Sequence, residues 1–124
     1  MQMNEITFAS ARPVDSYAPG GFRVGGTWRP GSLLLTAQWW EVWAAAAPGE
    51  VSTESLGRIL RAARDIDVLL VGMGPEIAPV PAEARKALEA AGIGVEPMST
   101  PSACRTYNVL LAEDRRVAAA LIAM

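Results

Sequence analysis

The sequence predicts an α/β fold, with a β-hairpin region near its N-terminal end and a parallel strand-helix-strand unit behind it. Three observations carry this. In the first half, apolar residues fall in short runs punctuated by Gly and Pro, whereas from Ser52 onward they recur at i, i+3, i+4 and i+7. Between two such helical stripes lies "DVLLVGM", residues 67–73, apolar over a strand's length as a strand covered on both faces requires. "GVEPM", residues 94–98, then offers a second strand after a helix, the order of a parallel crossover.

Each element has a local reason. "ITFAS", residues 6–10, reads as a strand. "FRVGGTW" sets Gly25 and Gly26 between two extended segments, where a two-residue turn needs positive φ at both positions, and so predicts a hairpin. Pro30 and Gly31 make the next turn, and Ser32 to Ala37 the next strand. Leu56, Ile59, Leu60 and Ala63 form the stripe of a first helix, with Glu54 spaced to pair with Arg58 and Arg61 with Asp65. The strand at 67–73 stops at Gly72. Pro81 suits the first position of a second helix striped by Ala84, Ala87, Leu88 and Ala91, and Gly92 with Ile93 fits a left-handed cap with its hydrophobic contact. After Met98, Thr100 suits an N-cap and Pro101 the first helical position, with Ala103, Tyr107, Leu110 and Leu111 as the third stripe. Asp114 breaks that pattern. "RRVAAALIAM" beyond it is a short apolar run that fits either a continued helix or a strand.

With 124 residues, one domain over residues 1–124 is expected. Hydrophobic residues at 51% and charged residues at 19% describe an ordered globular chain. The net charge is −2, and ten of the eleven basic residues are scattered arginines, so no basic stripe for nucleic acid is present. A single cysteine allows no internal disulfide. "MQMNEITFAS" lacks a basic, then apolar, leader, and no apolar run approaches membrane-spanning length. A soluble, cytoplasmic protein without membrane insertion is the expectation. The chain has no histidine, which removes the usual general base, the usual activator of a cysteine and the usual zinc ligand. No cofactor, metal or catalytic residue is therefore expected.

"LLVGMGPE" and "GVEPMSTPSACRTYNVLLAEDRRVAAALI" carry a resemblance. The pattern formed by Met98, Thr100, Ala103, Arg105, Thr106, Tyr107, Asn108 and Leu110, followed by Glu113 and Arg115, resembles that of a small-domain family. That family includes the mitochondrial complex I assembly factor three and the adipogenesis-associated domain protein. "DSYAPGGFRVGGTWRPGSLLL" is similar to the family's first hairpin region, and "QWWEVWAAAAPGEV" matches least well. The resemblance implies a three-layer α/β fold with a mixed central sheet, in which the C-terminal segment is an antiparallel strand among parallel neighbours. Val117 to Ile122, apolar throughout, suits a strand buried on both faces. It further implies an accessory or assembly role rather than turnover, in an uncharacterised bacterial member.

If the strands at 67–73 and 94–98 are parallel, the segments after them leave the carboxyl ends of the sheet, where ligands of open α/β sheets sit. Gly72, Gly74 and Glu76 on one segment and Thr100, Ser102, Cys104, Arg105 and Asn108 on the other are the candidate ligand-binding residues. The helix N-terminus would hold a small anion, a metabolite or a nucleotide. The structural alternative is that Thr100 caps the helix and Arg105 pairs with Glu76 or Glu96. Gly72-Met73-Gly74 does not read as a dinucleotide fingerprint, because Ile77 replaces its third glycine and Pro75 interrupts the turn. Cys104 falls at the edge of the apolar stripe and reads as a structural thiol. Trp39 and Trp40 are adjacent, so in a strand they face opposite sides; with one exposed, the Trp39–Trp43 region would serve self-association. The leading functional expectation is a non-catalytic protein that binds an unidentified protein partner. The second is the anion-binding domain, and the last an enzyme using Cys104 or Glu76.

Overall fold

A computed structural model describes residues 13–124. The strand expected at residues 6–10 lies outside the described residues. Three short strands, β1 (Val14–Ala18), β2 (Gly21–Val24) and β3 (Thr27–Pro30), form an antiparallel sheet in the order β1-β2-β3. The hairpin turn between β2 and β3 is made as the sequence requires, with Gly25 at φ 56° and Gly26 at φ 84°.

A second sheet holds β4 (Leu33–Thr36), β5 (Trp40–Val42), β6 (Val68–Gly72), β7 (Gly94–Met98) and β8 (Val117–Leu121), in the order β5-β4-β8-β6-β7. β6 is parallel to β7, and the helix between them is α2 (Ala82–Ala90). α3 (Thr100–Ala112) leads from β7 to β8, which lies on the other side of β6. The C-terminal run is a strand, which settles the ambiguity of its apolar pattern. β8 is antiparallel to β4 alone; towards β6 it is parallel, so the implied arrangement of an antiparallel strand among parallel neighbours is corrected on that side. The connection explains this: a helix returns the chain to the amino ends of β6 and β7 before β8 begins, so β8 must run their way. The strand that opposes the parallel set is β4.

The sheet alternates its side chains between two cores. Leu34, Leu69, Val71, Ala118, Ala120 and Ile122 pack with Leu56 and Ile59 and with Ala84 and Leu88 of α2. Leu33, Leu35, Leu70, Val117, Ala119 and Leu121 pack on the other face, with Ala103, Cys104 and Tyr107 of α3 and with Phe22 and Val24 of β2. The layers are therefore helices, central sheet, and α3 beside the small sheet.

Several local expectations shift. The first helix, α1 (Gly57–Arg61), is shorter than its stripe and is followed by a 3-10 turn at Ala63–Asp65. Arg58 turns from Glu54 to Glu41, 3.0 Å away, and Arg61 forms no pair with Asp65 among the described residues. The Ser32–Ala37 strand is trimmed at Thr36, whose Oγ1 accepts the N–H groups of Gln38 and Trp39, both at 3.1 Å, and so turns the chain into β5. Pro81, with an extended ψ of 138°, precedes α2 instead of opening it. Gly92 adopts φ 85° while buried Ile93 donates its N–H to the Leu88 carbonyl, the expected left-handed cap. Asp114, at φ 61°, breaks the chain after α3 as expected.

Candidate functional site

β6 and β7 are adjacent and parallel, yet the chain leaves β6 towards α2 on one face and β7 towards α3 on the other. That reversal opens a crevice at the carboxyl ends of the two strands. Here the crevice is closed by Thr100. Its Oγ1 accepts the Gly74 N–H at 2.9 Å and donates to the Ile122 carbonyl at 2.8 Å, while its own N–H donates to the Gly74 carbonyl at 2.7 Å. Gly72 is what admits it: a Cβ there would stand 2.9 Å from Thr100 Cα and 3.2 Å from the Ala103 Cβ. Gly74 turns at φ 98° beside it. Gly72, Gly74 and Thr100 are thus brought together as a joint that ties the ends of β6, β8 and α3.

The helix cap is Ser99, a correction to the assignment of Thr100. Ser99 has the extended conformation of a cap, φ −69° and ψ 156°, and its Oγ accepts the Ser102 N–H at 3.3 Å. Thr100 already belongs to the helix and Pro101 follows it. At the helix start the Thr100 N–H goes to the Gly74 carbonyl and the Ser102 N–H to the Ser99 hydroxyl, Pro101 has none to give, and Ala103 makes the first intrahelical bond, to the Ser99 carbonyl at 2.9 Å.

The other predicted residues point elsewhere. Glu76 is exposed in the loop after β6. Cys104 is buried in the core under the small sheet; burial pushes its thiol up to about 12, with the Arg105 charge pulling weakly the other way. Burial likewise raises the neighbouring Tyr107 hydroxyl. Asn108 clasps β1: its Nδ2 donates to the Val14 carbonyl and its Oδ1 accepts the Val14 N–H, both at 2.8 Å. Ser102 and Arg105 lie outside, joined by one bond of 3.3 Å from the guanidinium to the Ser102 Oγ. The pairing of Arg105 with Glu76 or Glu96 is not formed; no acid stands within 4 Å of Arg105 among the described residues.

The tryptophans divide as their spacing requires, Trp39 packing with the α2 core and Trp40 with the α3 core. Neither ring stands free. The Arg58 guanidinium covers Trp39 and that of Arg29 covers Trp40, each 4.0 Å from the ring centre. Trp43 is buried, and the exposed indole is Trp28, lying across Gly21 in the small sheet.

Two of the candidates, Ser102 and Arg105, lie on the outward face of α3 together with Val109 and Ala112, which no motif in the sequence marks. Ser102, Arg105, Thr106, Val109 and Ala112 point away from the core, Val109 is 55% exposed, and Arg105 is the one charged residue between Thr100 and Ala112. α2, covering the opposite face of the same sheet, carries Glu83, Arg85, Lys86 and Glu89. A helix side that meets only water is ordinarily charged, as α2 is. The signal was present in the sequence as a charge-poor stretch, but only the fold tells which of its residues face out.

Known proteins of this kind are similar over nearly the whole chain. An uncharacterized protein of Rhodobacter capsulatus is 45% identical over 124 residues, all of this chain and 94% of that protein. NADH dehydrogenase (ubiquinone) 1 alpha subcomplex assembly factor 3 of Danio rerio is 36% identical over 107 residues, 86% of this chain; the alignment spans 62% of that longer protein. Among solved structures, that of a Bartonella henselae protein described as an outer membrane protein superposes with a TM-score of 0.86 at 39% identity, over 90% of this chain and 94% of the other. A Bordetella pertussis protein described as a Mth938-like domain gives 0.81 at 26% identity, over 92% and 87%. In none of the described residues is there a helix long and apolar enough to cross a membrane. The family model described as protein of unknown function (DUF498/DUF598) matches residues 14–122, a span that holds both sheets, all three helices and the Thr100 joint, and the chain belongs to that family.

Proposed function

We propose that this chain is an accessory protein of the assembly type, which acts by holding another protein against the outward face of α3. The observation that carries the reading is the contrast between the two covering helices. Four charges dress the outside of α2, whereas α3 offers Val109, Ala112 and Thr106 around a single guanidinium that has no acid beside it among the described residues. Leaving such a face to water gains nothing, and covering it with a complementary protein surface buries apolar area and supplies an acid for Arg105. The name of the Danio rerio relative, an assembly factor, supports the same reading.

The pattern around the helix supports it further. Thr100, Ala103, Tyr107 and Asn108 have visible structural tasks in the joint, the core and the β1 clasp. Among the described residues the Arg105 side chain makes one hydrogen bond, to Ser102, and no ion pair, which leaves its guanidinium open to an acid of a partner. The test is a quantitative affinity capture from the native organism with wild type, Arg105→Glu and Lys86→Glu, the last reversing a charge on α2. A defined protein retained by wild type and Lys86→Glu but lost with Arg105→Glu is expected. Equal recovery with all three, or no specific protein with any, contradicts the reading.

A further inference from the structure

We infer that the outward ridge of α3 is self-complementary, and that a second copy of this chain docks on it antiparallel, about a two-fold axis at Val109. Arg105, Val109 and Glu113 follow one another at i, i+4 and i+8, so they lie in one ridge. At about 1.5 Å rise per residue, Arg105 and Glu113 stand about 6 Å on either side of Val109 along the helix axis. Rotating a copy about an axis through Val109 places Val109 against its twin and each Arg105 against the Glu113 of the other chain. The two ion pairs are identical by symmetry.

The surface is disposed for this. Arg105, Val109, Ala112 and Glu113 are all exposed, and Glu113, the C-cap residue, has no ion-pair partner among the described residues. The residues beside the ridge, Ser102, Thr106 and Ala112, are small, which lets two helices approach closely along i±4 rows. The charges rule out the parallel alternative, which would set Arg105 against Arg105 and Glu113 against Glu113. One helix face is a small contact, so the dimer is weak and its formation follows concentration and ionic strength. The inference goes beyond the assembly reading and stands on a separate observation, the placement of Glu113. A partner protein and a second copy then exclude each other.

Sedimentation equilibrium of the full chain, from micromolar to near-millimolar concentration, tests it without any partner present. Wild type is expected to show a monomer–dimer equilibrium. Arg105→Glu and Glu113→Arg are each expected to weaken it about tenfold or more, since each turns both attractive pairs into like-charge pairs. The double variant R105E/E113R is expected to return to within about threefold of wild type, the signature of a direct pairing. Circular dichroism of each variant checks that the fold is intact, as expected for exposed positions. A monomer at every concentration overturns the proposal and leaves the face to a different protein. So does a dimer that both single reversals leave unchanged, and loss of that dimer on Trp40→Ala would place it at β5. A double variant that stays as weak as the singles overturns the antiparallel register.

Discussion

Thr100 Oγ1 serves two buried backbone groups at once, the Gly74 N–H and the Ile122 carbonyl. Thr100→Val keeps the shape and removes both bonds, each at about 1–3 kcal/mol when the partner is left unpaired in the interior. A loss of roughly 2 kcal/mol or more is therefore expected in urea unfolding, and a change within experimental error would contradict the joint. Cys104 tests the opposite kind of environment. With its thiol pushed up to about 12, almost no thiolate exists near neutral pH, so alkylation of the folded chain is expected to run at least about a hundredfold slower than of the unfolded one. Equal rates would contradict its burial. The thiol's burial was legible from its place on the apolar stripe. The role of Thr100 was not, because its partners lie 26 and 22 residues away in the chain, and a hydroxyl in a sequence shows its bonding capacity but not its partners.

β1 is held to α3 by the Asn108 clasp on Val14, which joins the small sheet to the main core across 94 residues of sequence. Asn108→Ala is expected to cost about 1–3 kcal/mol and, more tellingly, to speed hydrogen exchange in β1 and β2 ahead of β6 and β8. Uniform exchange across both sheets would count against the clasp. At the other end of the central sheet, Arg116 before β8 holds Asp67 before β6 by a bond of 2.6 Å and also donates to the Arg64 carbonyl at 3.0 Å. The Arg116 guanidinium draws the Asp67 carboxyl below its ordinary value. A folded-state value below the unfolded one stabilises at pH above the unfolded value, near 4 for about any free aspartate, and that contribution is lost as the pH falls through the folded value. Against Asp67→Asn, wild type should be the more stable at neutral pH, and the gap should close on acidification; parallel curves would contradict it. Elements whose signals are local, the Gly25-Gly26 hairpin, β6, α2 and α3, were legible in the sequence. β5 and the shortened α1 were not: β5 begins where the Thr36 hydroxyl turns the chain, a contact made only when folded, and the apolar stripe of α1 runs on through the 3-10 turn at Ala63–Asp65, so its period does not mark the end at Arg61.

The molecule presents two unlike sides of one mixed sheet, a charged one under α2 and a charge-poor one along α3. The order of elements foretold the parallel unit, whereas the direction of β8 relative to β4 and β6 depended on how the crossovers pack. At the carboxyl ends of β6 and β7 the Thr100 hydroxyl ties the Gly74 N–H to the Ile122 carbonyl, and Arg105 and Val109 stand exposed on the outward face of α3. We propose that this outward face is covered by protein in the cell. Its most direct measurement is photo-crosslinking in the native organism, with a photoreactive side chain placed at Val109 in one strain and at Lys86 in another. Discrete adducts from Val109 and none from Lys86 are predicted, their masses separating a second copy of the chain from a different protein. No adduct from Val109, or the same products from both positions, would contradict the claim.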